Sequence, residues 1–182
     1  MKICSNLYQR MKNYPHPWAI AGGWSIDLFL NKVTRHHHDI EIIIFRENQQ
    51  GLKQYLSGWV FTKVANGVIS SWDENEWLPL PIHETYAQHK SEKIEILLNE
   101  KTEDVWVYRR DSRIIRELQK TILYTKEEVP FLSPEIALLY KSKQPRSKDI
   151  QDFNHVFEKL YHEQKSWLTH ALKTLYKDHP WL

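Results

Sequence analysis

The stretch WAIAGGWSIDLFLNKVTRHHHDIEIII (Trp18–Ile44) sets a glycine pair, a helical pattern, three histidines and two carboxylates in one short span. WAIA (Trp18–Ala21) is an apolar run that stops at Gly22-Gly23, the signature of a strand ending in a turn. In WSIDLFLNK, Ile26, Phe29 and Leu30 recur on one helical face. Asp39–Phe45 is a β-branched run that reads as a buried strand. A glycine pair alone is usually a turn, and a lone D-x-E on a strand is more often a solvated edge than a metal site. The order strand, glycine turn, helix, strand with D-x-E at its start is far rarer than either part.

Side chains alternate along a strand, so Asp39 and Glu41 share a face while Ile40, Ile42 and Ile44 turn to the core. Two ionised carboxylates about 7 Å apart at the end of a core strand repel and are costly to desolvate unless compensated. Mg²⁺ is a hard cation that takes carboxylate oxygens, keeps several waters and completes its shell with phosphates. Glu95, in KIEILLNE, alternates with Ile94 and Ile96, and it joins the other two acids if the strands are neighbours. Three carboxylates around one or two metal ions suit activation of an attacking oxygen at a phosphoryl group. Gly22 and Gly23 let backbone approach a phosphate, the helix start offers free N–H groups, and Ser25 adds a hydroxyl.

The histidines fit a metal site poorly. Adjacent residues on an extended segment face opposite sides, so only His36 and His38 could share an ion. The reading that fits better has one of them hydrogen-bonding near the phosphates or orienting a carboxylate, with the others at the surface.

The chain of 182 residues has 41% hydrophobic residues and 26% charged ones, the make-up of a globular protein with a real core. Its formal charge of +2 gives no electrostatic footprint for nucleic acid. A single cysteine, Cys4, forbids an internal disulfide, and no apolar run approaches the roughly 18–20 residues of a membrane helix. The expected setting is the cytoplasm, with no membrane partner.

Further along, Gly51–Leu56 reads as helix, Trp59–Val64 as strand, Asn66–Gln88 as turns and short segments, and Ile94–Leu98 and Val105–Tyr108 as strands. After Asp111 the patterns become helical: Ser133-Pro134 suits an N-cap and first turn, Lys148–Leu160 has helical spacing, and Ser166 suits the cap of a last helix. The expected organisation is an α+β fold, with a mixed sheet flanked by helices over residues 1–112 and a small helical region over 113–182. Arg35 is a candidate phosphate contact by charge and position. The acidic stretch Asp73, Glu74, Glu76 with Trp72, Trp77 and then Glu84 suits a polycationic, sugar-ringed acceptor, with Glu84 and Trp77 the foremost candidates. The plainer reading of those residues is ion pairing and a solvated loop.

GGW followed, after a helix, by TR-x-H-x-D-x-[DE] resembles the nucleotidyltransferase superfamily of the DNA polymerase β type, nearest its aminoglycoside 2''-nucleotidyltransferase-like branch. PIHETYA, IEILLNE, VWVYRRD, PFLSPEIALLYKSKQPRSKDIQDF and HPWL extend the likeness over nearly the whole chain. The resemblance implies that Gly22, Gly23 and Ser25 hold a nucleoside triphosphate and that Asp39 and Glu41 ligate Mg²⁺. It further implies that Glu95 is a third ligand or the base for the acceptor hydroxyl, and that Lys141 lies in a segment packed on the nucleotide. The implied reaction is attack of a small molecule's hydroxyl, with an aminoglycoside as the family-level acceptor, on the α-phosphorus of ATP. A protein or RNA acceptor, or nucleotide binding without catalysis, are the alternatives. One departure stands out: the second acid is Glu41 where many members carry Asp.

Overall fold

The computed structural model describes residues 1–182. Its elements run α1 (Lys2–Met11), β1 (Trp18–Ile20), α2 (Gly22–Leu30), β2 (Glu41–Phe45), α3 (Gln49–Tyr55), β3 (Val60–Ala65), β4 (Val68–Ser71), β5 (Glu84–His89) and β6 (Glu92–Thr102). They continue with β7 (Val105–Val107), β8 (Ile115–Glu117), the single turn α4 (Leu118–Thr121), β9 (Ile122–Tyr124), β10 (Pro130–Leu132), α5 (Pro134–Lys141), α6 (Ser147–Val156) and α7 (His162–Leu175).

The strands form one mixed sheet in the order β4-β3-β5-β6-β2-β1-β10-β9, with β7 on the end of β6 and β8 beyond it. β2 runs parallel to β6, and β1 runs antiparallel to β2 but parallel to β10. Strand alternation divides β2 between two cores. Ile42 and Ile44 face one with Ile96, Leu98 and the buried stripe Cys4, Leu7 and Met11 of α1. Ile43 and Phe45 face the other, under Ile136, Leu139, Leu168 and Leu172 of the late helices. This burial on both sides is why the run is unbroken isoleucine.

The fold class matches the sequence reading, and its details differ in four places. The tract Asn66–Gln88, expected as turns, contains β4 and most of β5, whose alternating burial of Thr85 and Ala87 was hidden among polar neighbours. The change to helices, expected near residue 112, comes after Leu132, because β8, β9 and β10 follow and β10 completes the sheet beside β1. These strands are three residues each, too short to show a period. Ser133 precedes α5 as expected, but its hydroxyl donates to the Glu135 carboxylate (2.5 Å) instead of capping the backbone. The last helix starts at His162, one turn before Ser166, with the Gln164 side chain accepting the Tyr161 N–H (3.0 Å). No helix is long and apolar enough to cross a membrane.

Candidate active site

A cleft of about 660 Å³ opens where β1 gives way to α2 and where β2 and β6 begin, roofed by α5 and the start of α6. Asp39 sits just before β2 and Glu41 on its first residue. The parallel register pairs Glu41 with Glu95 and Ile43 with Leu97, and the Glu95 N–H donates to the Ile40 carbonyl (3.0 Å). All three acids, with Glu84 opposite Leu97 on β5, line the cleft. Glu41 and Glu95 are thus adjacent across the sheet although more than fifty residues apart in the chain, the arrangement under which the sequence reading had Glu95 join the other acids.

None of the three has a salt-bridge partner, and their electrostatics show it. Burial pushes Glu41 above the usual carboxylate range, with Asp39 adding to the rise against the cations Lys141, Lys148 and Arg146. Burial, and then the like charges of Glu41, Glu84 and Asp39, push Glu95 up to about 7. On β5, Tyr86 donates to Glu84 (2.6 Å), and burial followed by that bond raises its own pKa.

The glycine turn works differently from the expectation. Ala21 donates to the Glu41 carbonyl (2.8 Å), tying the turn to β2. Gly22 has φ +62°, and a Cβ there would overlap the Glu41 carboxylate. A Cβ on Gly23 would overlap the Arg35 guanidinium and the His37 ring. The glycines therefore admit three side chains of the protein itself, besides exposing backbone to a ligand. Because Glu41 is turned toward Gly22, the three acids share a cleft without closing around one point at metal-ligand spacing. Ser25 departs from the expected phosphate role: it is fully buried and donates to the Gly22 carbonyl (2.8 Å).

Behind the turn lies a second acidic group, fully paired. Asp27 accepts from Thr34 N–H (3.0 Å) and hydroxyl (2.6 Å), and its other oxygen lies 2.6 Å from His37 Nε2. Asp152 binds Arg35 through Nε (2.8 Å) and Nη2 (2.9 Å) and also Lys141 (3.1 Å). Asp149 pairs with Lys141 (3.0 Å) and Arg146 (2.8 Å). Although burial opposes it, the Arg146 and Lys141 contacts hold Asp149 down at about 2. Arg35 and Lys141 do line the cleft, but as members of this network. His37 is the one buried histidine of the three, packed against Trp24 (ring centroids 4.4 Å apart), whose indole donates to the Asp39 carbonyl (3.0 Å). His36 and His38 are exposed, edge to face at 4.7 Å.

Glu84 is in the cleft and Trp77 is not: that indole is half exposed, and the acidic loop around it serves Lys53 and Lys63 instead. A sequence reading could not see that β5, rather than the loop, reaches the site. It also missed His83, Tyr140 and Arg146 as lining residues, and Arg109 and Arg110 join them there. Their chain positions are scattered, and only the sheet order and the packing of α5 bring them together.

This sheet, with its acids at the head of two parallel strands, is a nucleotidyltransferase fold. Solved structures share it: ANT(2'')-Ia in complex with adenylyl-2''-tobramycin superposes with TM-score 0.63 at 16% identity, over 97% of this chain and 99% of that one. The lincosamide antibiotic adenylyltransferase LnuA, lincomycin-bound, gives 0.54 at 19% identity, over 85% and 92% of the two chains. A putative nucleotidyltransferase from Thermotoga maritima gives 0.50 at 18%, over 87% and 92%. At these identities the likeness carries the fold. The chain belongs to the aminoglycoside-2''-adenylyltransferase family, whose model matches residues 4–156, and it is accordingly a nucleotidyltransferase. No curated protein sequence matches it significantly.

Proposed function

We propose that this enzyme transfers AMP from ATP to a hydroxyl of a small molecule, using Asp39, Glu41 and Glu95. The observation that carries the reading is the set of three unpaired carboxylates heading two parallel strands beside a glycine turn. The donor set fits Mg²⁺ in kind, since all the side chains are hard oxygen donors whose mutual repulsion calls for a cation. Asp39 and Glu41 are the residues that would hold it, with Glu95 completing the set or taking the acceptor's proton. When bound, the metal neutralises charge on the transferring phosphoryl group.

The chain's own groups supply the rest. Gly22, Gly23 and the start of α2 present backbone N–H groups to the triphosphate, and Lys148 and Arg146 add positive charge on that side. Arg35 and Lys141, fixed by Asp152, border the same phosphates. In the transfer the acceptor oxygen bonds to the α-phosphorus, the bond to the β-phosphate bridging oxygen breaks, and pyrophosphate leaves with that electron pair. Glu84, on the neighbouring strand, faces the acceptor.

Aminoglycosides are the first acceptors to test, because the family is named for them and one fold relative holds adenylyl-2''-tobramycin. Calorimetry with ATP and Mg²⁺ should show coupled binding that Asp39→Ala removes; binding indifferent to metal and to that substitution would sink the reading. Pyrophosphate release over a panel of aminoglycosides, lincosamides and other alcohols then identifies the acceptor.

A further inference from the structure

The acids occupy one end of the cleft, and the other end carries two guanidinium groups. After β7 the chain turns through Tyr108–Asp111, closed by the Asp111 N–H on the Tyr108 carbonyl (3.0 Å), and Arg109 and Arg110 both line the cleft. Both guanidinium carbons stand over the ring of Tyr140, 5.5 and 5.4 Å from its centroid. The hydroxyl of that tyrosine donates to Asn99 (3.2 Å), which also binds the Trp106 indole (2.9 Å). The platform is therefore rigid and the arginines are stacked in place before any ligand arrives.

Neither arginine has an anion. Arg109 makes no ion pair or hydrogen bond within the protein, and burial works against its charge. Arg110 donates only to neutral oxygens, the Tyr108 hydroxyl (3.2 Å) and the Tyr140 carbonyl (3.0 Å). The nearest carboxylate in sequence, Asp111, is taken by Arg113 at 2.5 Å. Four other shielded cations of this chain have carboxylate partners, Arg35 and Lys141 with Asp152, Arg46 with Glu100 and Arg116 with Glu135, while buried Lys53 is satisfied by backbone carbonyls. Arg109 is half-buried and Arg110 exposed at the rim, and such a stacked, unpaired arginine pair is a fork for phosphate or carboxylate.

The order of charges says whose anion it is. The cations acting on Glu41 are Lys141, Lys148 and Arg146, at the glycine end where the triphosphate lies. Arg109 and Arg110 act instead on His83, next to Glu84 on β5, and their Tyr140 platform is tied to Asn99, farther along β6 than Glu95. Between Glu95 and Asn99, under Tyr140, β6 advances roughly 13 Å, a small molecule's length. We propose that Arg109 and Arg110 form an anion subsite for the acceptor. The acceptor is then a hydroxylated small molecule bearing a phosphate or carboxylate about that far from the attacked hydroxyl, not a polycation. This rests on the nucleotidyl-transfer reading for its substrate, but not for its binding site.

Titration calorimetry on the full chain, with inorganic phosphate and with Mg²⁺-ATP as separate probes, tests it. In R109Q/R110Q, phosphate affinity should fall at least tenfold while ATP affinity changes less than twofold, and R109K/R110K should restore phosphate binding. Phosphate that binds both proteins equally, or fails to bind the wild type, overturns the subsite. A tenfold loss of ATP affinity overturns it as well, because the arginines then serve the nucleotide. Should the double variant fail to fold, R109Q alone carries the test, since that side chain bonds nothing in the protein. A second arm compares pyrophosphate release with sugar phosphates and hydroxy acids against tobramycin. Turnover of tobramycin undiminished in R109Q/R110Q overturns the acidic acceptor. Release with neither class overturns the acidic acceptor and leaves the phosphate titration to judge the subsite.

Discussion

Two groups of three acids flank the glycine turn, and they are built on opposite principles. Asp27, Asp149 and Asp152 are buried and saturated by Thr34, His37, Arg35, Lys141 and Arg146. Asp39, Glu41 and Glu95 are half-buried or exposed, lack protein cations and are raised where shifts are seen. The first group holds α2, the histidine segment and α6 together. The second leaves repulsion unrelieved in a cleft. A fold that can pair three acids so fully has left three others free, the contrast on which the proposed ligand site rests.

The comparison breaks most visibly in activity. Asp39→Ala should lower turnover at least a thousandfold, about 4 kcal/mol of transition-state stabilisation, with thermal stability unchanged or raised. Stopped assays of pyrophosphate release beside a melting curve check both halves. Asp152→Ala should do the reverse in kind, stranding Arg35 and Lys141 and costing about 3 kcal/mol of stability in denaturant titrations. Glu95→Gln removes a repelled charge. It should stabilise the protein by roughly 1–2 kcal/mol at pH 8, after discounting for solvent screening, while activity falls.

The smallest effect separates the groups by pH. Glu95 has a folded pKa of about 7, above its unfolded value, so its contribution is full below pH 4.5 and is lost as pH rises through 7. Asp149, held at about 2, contributes above its unfolded value near 4, and that contribution is lost as pH falls toward 2. Melting temperatures from pH 3 to 9 should therefore fall at both ends. Glu95→Gln should flatten only the fall between pH 4.5 and about 7, and an unchanged fall would mean that the acids are not coupled as described.

Much of the site was legible because it depends on local pattern. Asp39, Glu41 and Glu95 could be picked out by alternation within isoleucine runs, and the glycine turn by its place between strand and helix. What stayed hidden depends on partners distant in the chain. Nothing near Ser25 shows that its hydroxyl turns back to Gly22, and nothing near Arg35 reveals Asp152, 117 residues later. His37 looked like its neighbours until the chain placed Asp27 behind it. β5 was lost among polar residues because its outward positions line a cleft. The glycines were read for the right freedom and an incomplete reason: they clear room for Glu41, Arg35 and His37.

β1 is only three residues long, yet it joins the beginning of the chain to its later part, bonded on one side to β2 and on the other to β10. That second edge cannot be covered until Phe131 exists, more than a hundred residues after Ile20. During synthesis the first 112 residues would emerge with one margin of their central sheet open and with Ile43 and Phe45 lacking the helices that cover them. The sheet is therefore closed by a contact of high sequence separation, a feature that slows folding. The strands that carry the three acids wait on the C-terminal third of the protein to become stable, so a ribosome-bound fragment ending before residue 130 should be open to protease attack.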